Sequence, residues 1–258
     1  MKKSFKSLTV IALGAGLLTL NACKEEVVEE PSVPICYLTQ ETYSDADGSD
    51  VSYYEYDSDD NLVLAVYDGD STIFGYRNGR LVSANDKFTE ATFIYGSGST
   101  FPERINLKEG GIDYGFLIVE TTNGNITKVE VHENDGTSGD LITEVSYITY
   151  DANGNIKSAQ LDEWDEDTEE YITYLNIGNI TTDDKTNPYS GSIAFFYLNN
   201  DNPLVLGVNN ILTGDVTLAG TVLPYTSSYT YNDNDYPITS STVFFIGSNT
   251  RTFTYNCK

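Results

Sequence analysis

The side chains with the most chemical potential lie in acidic clusters. Asp162-Glu163-Trp164-Asp165-Glu166-Asp167-Thr168-Glu169-Glu170 places seven carboxylates around the single Trp of the chain. Carboxylate oxygens suit Ca²⁺, and an indole face suits a sugar ring, so Trp164 is a candidate ligand contact. The plainer alternative is a solvated hairpin tip with Trp164 packed at its base. Asp45-Ala46-Asp47-Gly48-Ser49-Asp50 and Asp57-Ser58-Asp59-Asp60-Asn61 also resemble calcium loops, with Asp57, Asp59 and Asn61 as candidate ligands. Their spacing departs from an EF-hand, because Leu62 stands where the sharp turn needs Gly. Ordinary Asp-rich turns explain both segments, so no cofactor is expected beyond a weak case for Ca²⁺.

Other catalytic constellations find little support. The single histidine, His132, sits between Glu130 and Glu133 on the polar side of an alternating segment, and no Gly-x-Ser-x-Gly elbow is present. One His excludes a multi-His metal centre, and three Cys exclude a Cys₄ zinc site. Glycosidase chemistry needs two carboxylates at a set separation, and 39 acidic residues single out no pair. The expectation is a non-enzyme, with a carboxylate-based hydrolase acting on extracellular polysaccharide as the alternative. With 14 basic against 39 acidic residues, the net charge is −25, which opposes binding to phosphate backbones, so no nucleic-acid partner is expected.

The N-terminus reads as an address. Lys2, Lys3 and Lys6 precede the apolar run Leu8–Leu20, which ends in Leu20-Asn21-Ala22-Cys23. That run is shorter than the roughly 20 residues of a membrane span. The ending looks like a lipobox, so residues 1–22 are expected to be a lipoprotein signal peptide and Cys23 the lipid-attachment site. Residues 23–35, with four Glu and two Pro, read as an acidic tether. Two cysteines then remain. Cys36 and Cys257 stand at the two ends of the region 36–258, and beyond the inner membrane the compartment is oxidising, so a disulfide between them is expected.

These elements must be positioned by strands. Period-two alternation dominates the mature region. Val129 and Val131 alternate with Lys128, Glu130 and His132, and Val145, Tyr147 and Thr149 alternate with Glu144 and Ser146. The 20 Tyr suit a pleated, half-exposed surface; they serve either as cross-strand pairs or as a binding strip. Turn signals recur at Tyr54–Leu62, Asn78–Leu81, Asn123–Ile126, Tyr150–Ile156 and Tyr229–Ile238. In each, Asp or Asn caps a turn and Gly or Asn then takes the left-handed position, although the copies at 54 and 229 lack the turn Gly. Whether Asp151–Gly154 is a two-residue hairpin turn or a longer turn with a bulge stays open. Residues 183–212 depart from this pattern and mark a longer excursion, expected to pack over the sheet with a helical turn.

The Tyr-Asp-x-x-Gly-Asn-Ile hairpin resembles the YD repeats of bacterial surface proteins. With the lipobox, the Cys36 start, Asp183–Tyr189, Asn209–Ile211 and the Tyr231–Pro237 hairpin leading to Tyr255-Asn256-Cys257, the chain is similar to a Bacteroidota surface lipoprotein family of unknown function. The Cys-Lys-Glu-Glu start likewise resembles the signal that exports such lipoproteins to the outer face of the outer membrane. The resemblance implies an all-β extracytoplasmic domain and brings no catalytic residues. The expected fold is a single all-β domain of consecutive antiparallel hairpins, forming a twisted, strongly curved or rolled sheet, with a β-sandwich as the alternative. The expected protein is a non-catalytic outer-membrane lipoprotein facing the cell surface. It would be held to the membrane by its lipid and would bind a glycan or a surface protein or act structurally.

Overall fold

The computed structural model describes residues 34–134, 140–190, 192–199, 203–218, 220–244 and 247–258. The signal peptide, Cys23 and most of the tether lie outside the described residues. Among the described residues sixteen strands follow one another: β1 (Cys36–Ser44), β2 (Ser49–Tyr56), β3 (Leu62–Tyr67), β4 (Asp70–Arg77), β5 (Arg80–Asn85), β6 (Thr89–Ile94), β7 (Arg104–Glu109) and β8 (Ile112–Thr122). The second half comprises β9 (Asn125–Asn134), β10 (Asp140–Tyr150), β11 (Ile156–Asp165), β12 (Glu170–Thr186), β13 (Asn209–Leu218), β14 (Thr221–Tyr231), β15 (Pro237–Phe244) and β16 (Gly247–Cys257). Each pairs antiparallel with its sequence neighbours, and β1 pairs with β16. The sheet is therefore a closed barrel. The expected all-β hairpin order holds, but the rolled sheet and the sandwich are both corrected. Closure removes the two exposed edges that an open sheet of this many strands would leave. Cys36 and Cys257 are register partners on the closing seam and are joined by a disulfide.

Successive turns of an up-and-down barrel alternate between its two ends. Pro34 and Lys258 lie at one end, called proximal here, and all five recurrent turns fall there. Three of them share one hydrogen-bond pattern. The Asp57 side chain accepts from the amides of Asp59 and Asn61, that of Asp151 from Asn153 and Asn155, and that of Asn232 from Asn234 and Tyr236, at 2.8–3.0 Å. The fourth residue of each takes positive φ: Asp60 (64°), Gly154 (84°) and Asp235 (63°). Each turn follows a register shift in its strand pair, so Asp151–Gly154 belongs to a bulged turn.

Which residues point inward follows from the pairings. Leu38, Leu62, Phe74, Leu81, Phe93, Ile105, Val119, Val129, Ile148 and Ile156 form one buried lumenal cluster. The outer face is mixed: Thr226, Ser228 and Thr230 on β14 and Thr250, Thr252 and Thr254 on β16 are exposed, as are Tyr53, Ile73, Ile94, Tyr147, Val222 and Val243. Lys128 bridges Glu120 and Glu130 on the same outer face at 3.1 and 2.7 Å. The alternation of β9 is as expected, with Val129 inward. On β10 the lumen takes Glu144, Ser146 and Ile148, while Val145, Tyr147 and Thr149 face outward. Buried Ile148, paired with Ala159, sets that register.

The excursion after β12 enters the lumen instead of lying over the sheet. It carries the six-residue helix α1 (Ile193–Leu198) and a 3₁₀ turn at Pro203–Leu206. A helix this short has no independent stability. Ser192 Oγ accepts the Phe195 amide at 3.3 Å, and Asn199 Nδ2 donates to the Phe195 carbonyl at 2.8 Å. Its main support is burial. Phe196 is fully enclosed, and Phe195 sets its ring edge against Tyr54 and Tyr189. Each such side chain contributes about 1.5–3 kcal/mol on burial.

Candidate functional site

The helical plug leaves a cavity on each side. The distal one has a volume of about 540 Å³, within the range of small-molecule sites. Its wall is built by β12–β16, with Ile177, Ile211, Val216, Tyr225, Tyr229 and Phe244 pointing inward, and its floor by Tyr189, Leu204 and Val205. The exposed residues Asp45, Ala46, Asp47, Gly247 and Ser248 form its rim, so it opens at the distal end, opposite Pro34. The proximal cavity measures about 410 Å³ and is lined by aromatic rings that include Tyr37, Tyr56, Tyr76 and Tyr95. Burial pushes the Tyr76 phenol up to about 12 and keeps it neutral.

At the inner end of the distal cavity stands Arg251. Its Nη1 donates to Glu41 Oε1 at 2.8 Å and to Tyr189 Oη at 3.0 Å, and Tyr189 donates to Glu41 Oε2 at 2.7 Å. The Glu41 side chain is 9 % exposed, while Arg251, which lines the cavity, keeps 35 % of its surface accessible. Burial opposes the charge on Arg251, but the contacts with Tyr189 and Glu41 outweigh it and hold the guanidinium above its usual range. Burial, reinforced by the charge of Glu41, raises the Tyr189 phenol well above its ordinary value, so it remains a neutral donor. The triad is a charge-matched unit bordering the cavity, and the guanidinium also lies 5.4 Å from the centre of the Tyr43 ring.

The residues singled out in the sequence lie elsewhere. Trp164 pairs with Tyr171 across β11–β12, ring centroids 5.2 Å apart, on the outer face near the distal end. Asp57, Asp59 and Asn61 form a proximal turn; both Asp57 oxygens accept from Asn61 Nδ2, at 3.2 and 3.0 Å, and this donor set lowers the Asp57 pKa. That arrangement points the carboxylate at N–H groups of its own turn. Among the described residues no group of three His, Cys, Asp or Glu is arranged to hold a metal ion. His132 is on the outer face as expected, stacked on Phe116 at 4.3 Å with Nε2 3.2 Å from Glu130. Glu41, Tyr189 and Arg251 carried no local signal, being separated by 148 and 62 residues along the chain.

A second lumenal carboxylate, Glu144, faces Glu163 across β10–β11. Burial first, and the charge of Glu163 second, raise its pKa. The native state thus holds this proton more tightly than the unfolded chain, and its stabilising effect is complete below the ordinary Glu range and lost as pH rises through the raised value. Glu144→Gln is expected to raise Tm at pH 7 by about 2–4 °C, with the gain disappearing below pH 4. A Tm difference independent of pH, followed by calorimetry, would refute the assignment.

No family model matches the chain, and no curated protein matches it. Solved structures do. A crystal structure of a porin-like protein from Bacteroides vulgatus aligns with a TM-score of 0.60 at 16 % identity, covering 86 % of this chain and 99 % of that one. A porin-like protein from Bacteroides uniformis aligns with a TM-score of 0.54 at 10 % identity, covering 85 % and 96 %. This chain shares their barrel fold.

Proposed function

We propose that this is a non-catalytic lipoprotein of the outer membrane, anchored through Cys23, whose barrel stands in water and holds a small molecule in its distal cavity. The observation that carries the reading is the polarity of the two barrel faces. A membrane-spanning barrel turns an apolar band to lipid and a polar interior to water. Here the buried apolar cluster fills the lumen, and Lys128 and Glu130 point outward from the middle of β9, on an outer face that also exposes Tyr53, Ile73, Tyr147, Val222 and Val243. Each Arg or Lys at a bilayer midplane would cost about 2–4 kcal/mol. Strands as short as β3, β5, β6 and β7, six residues each, also fall below the roughly 9–11 that span a bilayer. The porin-like neighbours and the Bacteroidota resemblance support an envelope location, and the outward charges with the short strands favour tethering over insertion.

The cavity supports binding rather than catalysis. Among the described residues, the carboxylates lining it are Asp45 and Asp47 on one rim hairpin, and Asp45 Oδ1 accepts the amides of Asp47 and Gly48. Flanking carboxylates on opposite sides of a bound sugar are the requirement for a glycosidase. Pro34, the first described residue of the barrel, lies at the end opposite the mouth. The test is Cys23→Ala in the native host. The altered chain is expected to move almost wholly from the membrane to the soluble fraction while keeping its sheet signal by circular dichroism. Persistence in carbonate-washed membranes would mean that the barrel itself sits in lipid.

A further inference from the structure

We infer that the distal cavity takes an uncharged amphipathic molecule: an alkyl or fused-ring body with one hydroxyl or carbonyl end that meets Arg251. This rests on the lumenal-binding reading above and adds the chemistry of the occupant. Three features combine. The wall is apolar where a ligand body would lie, with Leu175, Ile177, Ile211, Val216 and Phe244 around it. Burying an alkyl or ring surface there is favourable in proportion to the area removed from water.

Most polar side chains lining the cavity already have partners. Asn187 Nδ2 donates to the Gly207 carbonyl at 2.9 Å, Asn210 Nδ2 to Asp183 at 3.2 Å, and Tyr229 Oη to the Ile211 carbonyl at 3.1 Å. The Thr242 hydroxyl is 2.6 Å from that of Ser227. Among the described residues, the hydrogen bonds of the Arg251 side chain run through Nη1, so its Nε and Nη2 donors are not hydrogen-bonded, although the Tyr43 ring lies 5.4 Å from the guanidinium. A sugar carries hydroxyls on every side and would surrender its hydration for few replacements, at a cost for each unpaired group. A molecule with one acceptor at its tip needs what Arg251 supplies.

Charge decides against an acid. Glu41 already neutralises Arg251, so a ligand carboxylate would be a second anion beside one cation. Asp45 and Asp47 at the rim, on a chain of net charge −25, oppose its entry as well. A neutral alcohol or ketone meets neither obstacle.

The experiment uses the full-length Cys23→Ala chain free of detergent, with the neutral dye Nile red as reporter and 1-decanol, decanoate and maltotriose as competitors at pH 7.5. One dye per chain is expected, displaced by decanol at least about tenfold more effectively than by decanoate. Gly214→Met should abolish binding by filling the lumen. A Cβ there meets nothing closer than 3.6 Å, so the strand accepts a side chain, and Val216→Trp provides a second blocked lumen. Decanoate equal to decanol would overturn the charge argument. Maltotriose binding that Gly214→Met removes, without decanol binding, would overturn the ligand class and leave the lumenal reading intact. Undiminished dye binding by folded variants of both kinds would overturn the lumenal reading itself. No binding by any probe would overturn the inference.

Discussion

An Arg251→Met chain is expected to lose about 3 kcal/mol of folding stability, whereas Glu41→Gln combined with Arg251→Met should recover most of that loss. Breaking a buried pair from one side strands a charge. Here the stranded group would be Glu41, whose side chain is 9 % exposed and whose remaining partners are the Tyr189 and Tyr54 hydroxyls at 2.7 and 3.4 Å. Those hydroxyls satisfy hydrogen bonds without cancelling the charge. The loss sits at the low end of the range for buried pairs because Arg251 borders a cavity that water can enter. Removing both charges leaves a neutral amide among neutral hydroxyls, which the interior tolerates. Urea unfolding of the two variants beside the unaltered chain makes the comparison. Equal losses in the single and double variants would show that side-chain packing, and not charge pairing, is what the triad contributes. The same measurement on Glu41→Gln alone completes the cycle and isolates the pairwise energy.

The second large effect concerns the seam. Cys36→Ser with Cys257→Ser is expected to cost about 2–5 kcal/mol, because the bond closes a very long loop and its absence enlarges the unfolded ensemble. The two cysteines are 221 residues apart and join the first strand to the last. The β1–β16 pairing extends well beyond them, from Tyr37↔Asn256 to Ser44↔Thr250, so the barrel should still close without the bond. The expected result is a lower urea midpoint with an unchanged far-ultraviolet spectrum. The reduced unaltered chain should unfold at the midpoint of the double Ser variant. If reduction leaves the midpoint where it was, or if mass spectrometry of the unreduced exported protein finds both thiols free, the seam is held by strand pairing alone.

The parts of the molecule that were legible in the residues share a physical origin. Alternation such as Val129 and Val131 against Lys128 and Glu130 is a local consequence of pleating, and it reports strand and face together. The Asp or Asn turns are also local. Asp57, Asp151 and Asn232 each close a turn within five residues, using their own side chains, and the recurrence of Tyr before them marks where one strand ends. Even there the pattern was incomplete. Asp60 and Asp235 adopt the left-handed conformation that Gly154 adopts at less steric cost, so a search for Gly alone passes over two of three equivalent turns.

On β10 the local pattern misled. Val145, Tyr147 and Thr149 look like a core face, yet they lie outside, because Ser146 and Ile148 meet Leu161 and Ala159 in the lumen. The outward Val145 is nonetheless buried, so apolar character did not distinguish the two sides.

By themselves, the residues determined antiparallel hairpin order, the placement of the recurrent turns and the two faces of β9, since each depends on contacts within about ten residues. Tertiary structure decided closure, the plug and the site. Whether a long hairpin sheet rolls, stacks or closes depends on accumulated twist and on β1 meeting β16, an encounter with no local signature. Once the barrel is closed, the excursion around Phe195 and Phe196 has one apolar space to occupy, and it divides the lumen. Only then do Glu41 from β1, Tyr189 from the excursion and Arg251 from β16 meet at the base of one cavity. Their chemistry arises from proximity across the fold, and no spacing along the chain encodes it.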